Sequence, residues 1–151
     1  MLYYQQFKIK SKECLITKDN NMTLAIYIII SLIASIQDIR TREVSNIIHI
    51  LIIFIALPNI TINKVMGALI GLIAFFTPNL IKKDGIGGAD IKFMFASGLI
   101  LGTEKIIIAT ITSMIVAIIY AVFIKLILNQ NLKGIPLIPF LFIGCISAYF
   151  I

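Results

Sequence analysis

Tryptophan is absent, cysteine occurs twice, and charged side chains make up only 13% of the 151 residues. Each shortage excludes something. Cys14 lies in a polar leader and Cys145 inside an apolar run, so no CxxC pair, zinc site or disulfide framework is suggested. Cys145 reads as a packing residue. No cluster interleaves aromatic with basic residues, so the formal net charge of +6 does not describe a nucleic-acid surface. HExxH, GxSxG, P-loop and EF-hand patterns are missing as well, and with them the chemistries those spacings serve. Nothing repeats at a fixed period.

What the chain has in abundance is hydrocarbon. It is 60% hydrophobic with a mean hydropathy of +1.04, against about 45–50% apolar and about 25% charged in ordinary soluble domains. That composition predicts an all-α membrane protein, a polytopic bundle of about six transmembrane helices at roughly 20 apolar residues each. The apolar segments fall at residues 22–38, from about 47 to Pro58, at about 65–81, at 91–101, at about 106–128 and at 135–151. "PNITINK", with Pro58 and its asparagines, marks a turn after the second. Gly67 with Gly71, and Gly98 with Gly102, give small-xxx-small faces suited to close helix packing in lipid.

Lysine and arginine set the expected orientation. Loops after segments one, three and five hold Arg40, Arg42, Lys82, Lys83, Lys92, Lys125 and Lys133, against Lys64 and Lys105 on the other side. The excess places those loops in the cytoplasm of a cell-membrane protein. Residues 1–21 are polar, carry Lys8, Lys10, Lys12 and Lys18, and lack the pattern of a cleaved signal peptide. They weaken the bias by landing outside. The expectation is therefore a dispensable extension over 1–21, with Met22 as the natural start of a membrane-embedded domain over 22–151.

Two carboxylates stand out on the expected cytoplasmic side. Asp38 ends segment one and Asp90 opens segment four within "GIGGADIKFM", residues 85–94. An Asp inside a span costs on the order of 2.5–3.5 kcal/mol by insertion scales, so such residues tend to be functional. The structural alternatives are a helix cap for Asp90 and pairing with Arg40 or Arg42 for Asp38. Two carboxylates brought close cannot both ionise cheaply, so one keeps a proton while the other stays charged. Such a pair can activate water and polarise a peptide carbonyl, the chemistry of aspartic proteases. Gly85, Gly87 and Gly88 are expected to supply backbone conformations closed to other residues, and room for a peptide. Asp84, Glu43 and Glu104 read as solvated loop charges, and His49 as a hydrogen-bonded packing residue.

These blocks resemble those of the type IV prepilin peptidases, integral-membrane aspartic proteases that include the archaeal preflagellin peptidases. "DIRTREVSN", residues 38–46, resembles the first catalytic block; "GIGGADIKFMFASGLILG", residues 85–102, resembles the GxGD block; "IPLIPFLFIG", residues 135–144, resembles the Pro-rich start of the last helix. The resemblance runs from about Met22 to the C-terminus. It implies Asp38 and Asp90 as the catalytic pair on the cytoplasmic face. Gly85, Gly87, Gly88, Ala89 and Lys92, with Arg40 and Asn46, become the residues that bind substrate or shape the loops. It further implies prepilin-like precursors as substrates, cut between a short basic leader and an apolar helix, with no metal or organic cofactor. Paired CxxC motifs of the bifunctional members are absent, which makes this a peptidase-only form.

Two positions depart from the pattern. Ser45 stands where the family often has proline, and Ala89 replaces the second glycine of GxGD. Buried carboxylates also suit a small transporter or channel, a reading that calls for inverted repeats or helices broken near the midplane. The sequence displays neither. A non-catalytic assembly subunit would tolerate Asn at either aspartate.

Overall fold

The computed structural model describes residues 2–81, 87–128 and 135–151. Over them the chain forms six α-helices: α1 Leu2–Thr41, α2 Asn46–Ala56, α3 Ile62–Ile81, α4 Gly88–Leu101, α5 Thr103–Leu128 and α6 Ile138–Phe150. A 3₁₀ turn, Leu57–Asn59, follows α2 where Pro58 ends it. The helices coincide with the apolar segments, give or take a few residues at their ends, with one larger difference. α1 runs back through the polar leader to Leu2, because residues 1–41 contain no glycine or proline to stop it.

Asn21–Thr41 and Thr103–Leu126 are long and apolar enough to cross a membrane, whereas the apolar helices over 46–59, 62–78 and 138–150 are shorter. The outward faces are hydrocarbon too. Ile29, Ile33 and Ile36 on α1 and Ile111, Ile115 and Ile118 on α5 are all exposed, apolar faces of the kind that mark a membrane or protein contact. Inside, Tyr27, Phe75, Phe93, Met94, Ile106, Leu141 and the free Cys145 are fully buried. The Tyr27 hydroxyl donates to Ser97 Oγ at 2.9 Å and so pins α1 to α4.

Glycines decide which helices meet closely. A Cβ on Gly98 would lie 2.6 Å from the Ala68 backbone, and one on Gly67 would lie 2.5 Å from the Gly102 carbonyl carbon. α3 and α4 therefore touch backbone to backbone along the two small-residue faces read in the sequence. Gly102 closes α4 at φ 80°, its N–H on Gly98 O at 2.9 Å, and a single residue carries the chain into α5. Gly144 serves α6 in the same way against Ala109 and Ser113 of α5. The result fixes the start of α4 beside the end of α1, where the two aspartates lie.

Candidate functional site

Asp38 occupies the last turn of α1. Its carbonyl accepts the Arg42 N–H at 2.9 Å, and Arg42 at φ 55° takes the left-handed conformation that ends the helix. The short loop to α2 is tied down from both ends. The Ser45 N–H donates to Gln37 Oε1 at 3.3 Å. The Ser45 hydroxyl accepts from Ile47 N–H at 3.4 Å, capping α2. Ser45 has φ −59°, the angle a proline ring imposes, so the family's proline fits this backbone and serine adds a cap.

The Asp38 side chain is 7% exposed. Its Oδ2 accepts the Ile138 N–H at 3.0 Å, and the Leu137 backbone contributes a second hydrogen bond. Both donors belong to the start of α6. A helix ordinarily leaves four N–H groups without partners at its start. Here Pro139 has none to offer, and the N–H groups of Phe140 and Leu141 both turn to Leu137 O at 3.0 and 3.1 Å. Ile138 N–H is left, and Asp38 takes it. Arg40, one of the two arginines weighed as partners for Asp38, stands exposed.

Asp90 is 8% exposed and sits in the first turn of α4, behind the N-cap Gly87. Its N–H donates to Gly87 O at 3.1 Å, and its carboxylate is hydrogen-bonded by the Gly87 backbone. That is the reciprocal half of a capping box, an acid three residues into a helix reaching back to the cap. Capping is thus a true role of Asp90, and it aims the carboxylate. Asp38 and Asp90 are close enough to interact electrostatically. Two carboxylates from separate helices thus lie shielded from solvent and within electrostatic reach of one another. No group of three or more potential metal ligands occurs among the described residues.

The glycines act through space more than through backbone freedom. Gly87 has φ −63°, Gly88 begins α4, and neither adopts a positive φ. Ala89 is helical, so alanine fits where the family pattern has glycine. A Cβ on Gly87 would come 3.0 Å from Asp90 Oδ2, whereas one on Gly88 would meet nothing within 4 Å. Gly87→Ala is therefore expected to lower activity about tenfold or more by displacing the carboxylate, a shift of about 1.4 kcal/mol in the barrier. Gly88→Ala should leave both activity and thermal midpoint near those of the unaltered protein. Equal effects of the two in one cleavage assay would contradict this placement. Gly85 lies outside the described residues.

Lys92 and Asn46 are brought together, and away from the aspartates. Lys92 Nζ donates to Asn46 Oδ1 at 2.9 Å. Lys92 follows Asp90 by two residues, about 200° around the helix, so it serves the opposite side of α4. His49, 4% exposed, donates from Nε2 to Ala89 O at 3.1 Å on that same side. These three brace the start of α4 against α2, beside an apolar cleft of about 460 Å³ that also takes in Ile53, Leu72 and Phe95 and reaches neither aspartate. The contribution of α6 to Asp38 escaped the sequence reading, since a backbone N–H leaves no letter. Its only trace is the pair Pro136 and Pro139.

The sequence model of the type IV leader peptidase family matches residues 25–122, most of the chain and both aspartates. No curated protein and no solved structure gave a match.

Proposed function

From the premise that this chain belongs to the type IV leader peptidase family, we propose that it is an aspartic endopeptidase of the cell membrane. Its substrates are prepilin-like precursors. It cuts each between a short basic leader and the apolar helix that follows, at the cytoplasmic face. The observation that carries this reading is the pair Asp38 and Asp90, two shielded carboxylates that interact across the ends of α1 and α4.

The proposed step is direct hydrolysis. One carboxylate takes a proton from a water molecule held between the two; the other, protonated, hydrogen-bonds the scissile carbonyl and gives it that proton as the water oxygen attacks. A tetrahedral diol forms with both protons accounted for. Its collapse breaks the C–N bond, and the departing amine takes a proton from the carboxyl group that the water protonated. The other carboxylate takes a proton from a diol hydroxyl, which leaves a carboxylic acid product and restores the starting pair. The α6 N-terminus keeps Asp38 in place through the cycle, and Gly87 does the same for Asp90. All six helices are proposed to lie in the bilayer as a domain over 22–151, with 1–21 as an extension. The lysines and arginines at the aspartate end support that topology.

The test is to incubate membranes containing the protein with prepilin-like precursors and sequence the new N-terminus. A single cut at the junction of basic leader and apolar segment is expected. Precursors left intact across a panel, by protein shown to be folded, would overturn the proposal.

A further inference from the structure

The opposite end of the bundle from the aspartates gathers positive charge. α3 and α5 both begin there, and a helix N-terminus carries about half a positive charge. Their starts are tied to one another. Asn63 Oδ1 accepts the Thr103 N–H at 3.3 Å, and the Thr103 hydroxyl donates to Asn63 O at 2.9 Å. Each helix then places a lysine in its first turn, Lys64 in α3 and Lys105 in α5.

Both lysines line one cavity of about 250 Å³, with Thr23, Leu24, Ile100 and Tyr149 among its other walls and no acidic residue among them. Glu104, in the same turn as Lys105, is exposed and does not reach it. Lys105 is held in position. Its Nζ donates to the Tyr149 carbonyl at 2.6 Å and stands 4.9 Å from the centre of the Tyr149 ring. Both of those partners are neutral. Lys64, half-buried, flanks the same space.

Two ammonium groups at one partly enclosed cavity repel one another more strongly than they would in water. An anion with several acceptor oxygens reverses the sign, because helix N-termini and lysines both favour it. The walls add a second requirement. Leu24, Ile100 and Leu101 suit an anion attached to hydrocarbon.

We propose that this cavity binds a phosphate group, one that a phospholipid headgroup of the adjoining leaflet or free phosphate presents to Lys64 and Lys105. The site lies at the far end of α4 from Asp90, beside the middle of α1, and is independent of the peptidase reading.

The experiment follows the thermal midpoint of the full chain in maltoside micelles, which contain no phosphate, with bound ligand read by native mass spectrometry. The probes are phosphatidylglycerol, inorganic phosphate, and an uncharged diacylglycerol with the same chains. Ligand that binds only the folded state raises the midpoint with concentration. A rise with phosphatidylglycerol alone supports the site and assigns it to lipid; a rise with inorganic phosphate as well supports it and admits free phosphate. In either case Lys64→Met, which keeps the apolar stem, should need at least tenfold more ligand, and Lys64→Arg should respond like the unaltered protein. The proposal is overturned if neither phosphate probe shifts the unaltered protein, if diacylglycerol does as well, or if Lys64→Met responds unchanged. Should Lys64→Met fail to fold, the unaltered protein and Lys64→Arg decide the matter.

Discussion

Gly98→Leu is expected to abolish the folded protein, and Gly98→Ala to lower its thermal midpoint. A Cβ at Gly98 would lie 2.6 Å from Ala68 N, Ala68 Cα and Gly67 O. All three are backbone atoms, so no change of rotamer relieves the clash. Overpacking a core typically costs about 1–3 kcal/mol where side chains can give way; here two helix axes must separate. α4 would then carry Asp90 away from α1, and the Tyr27–Ser97 hydrogen bond would go with it. Yield of monodisperse protein in mild detergent and its thermal midpoint check this. Gly98→Leu protein with an unaltered midpoint would mean that α3 and α4 do not pack through this face.

Most of that fold was legible because the helices coincide with apolar runs in the sequence. α5 was expected from about residue 106 and begins at Thr103; α4 was expected from 91 and begins at Gly88. The shift in α4 has a local cause. Asp90 lies in the first turn and reaches back to Gly87, so the helix starts before its apolar stretch does. α1 extends beyond its apolar segment into the polar residues 2–21, where nothing breaks a helix. The two aspartates were legible from their positions at segment ends. What surrounds them was less so. The resemblance gives Lys92 and Asn46 as residues that bind substrate or shape the loops; the 100° step of the helix sets Lys92 on a different side of α4 from Asp90, where it bonds Asn46. His49 was read as a packing residue and is one, bonded to Ala89 O. The donor to Asp38 comes from residues 137 and 138, and only tertiary packing reveals it.

Asp38→Asn and Asp90→Asn are each expected to remove about 10²–10⁴-fold or more of the cleavage rate, the size of a lost general acid or base. Neither should unfold the protein. Asn at 38 still offers Oδ1 to the Ile138 N–H, and Asn at 90 still accepts from the Gly87 backbone, so the starts of α6 and α4 keep their partners. What Asn cannot do is take a proton from water or share one with the other carboxylate. Because the pair acts as a unit, the double variant should be no slower than the slower single variant. Asp38→Ala is a different experiment, since it also strips the Ile138 N–H of its acceptor at a cost of about 1–3 kcal/mol.

The most direct measurement is the initial rate of precursor cleavage by the unaltered protein, Asp38→Asn, Asp90→Asn and the double variant, in membranes matched for folded protein. The predicted result is cleavage by the unaltered protein alone, with the three variants indistinguishable at background. Either single variant cleaving within tenfold of the unaltered protein would contradict a catalytic pair formed by Asp38 and Asp90.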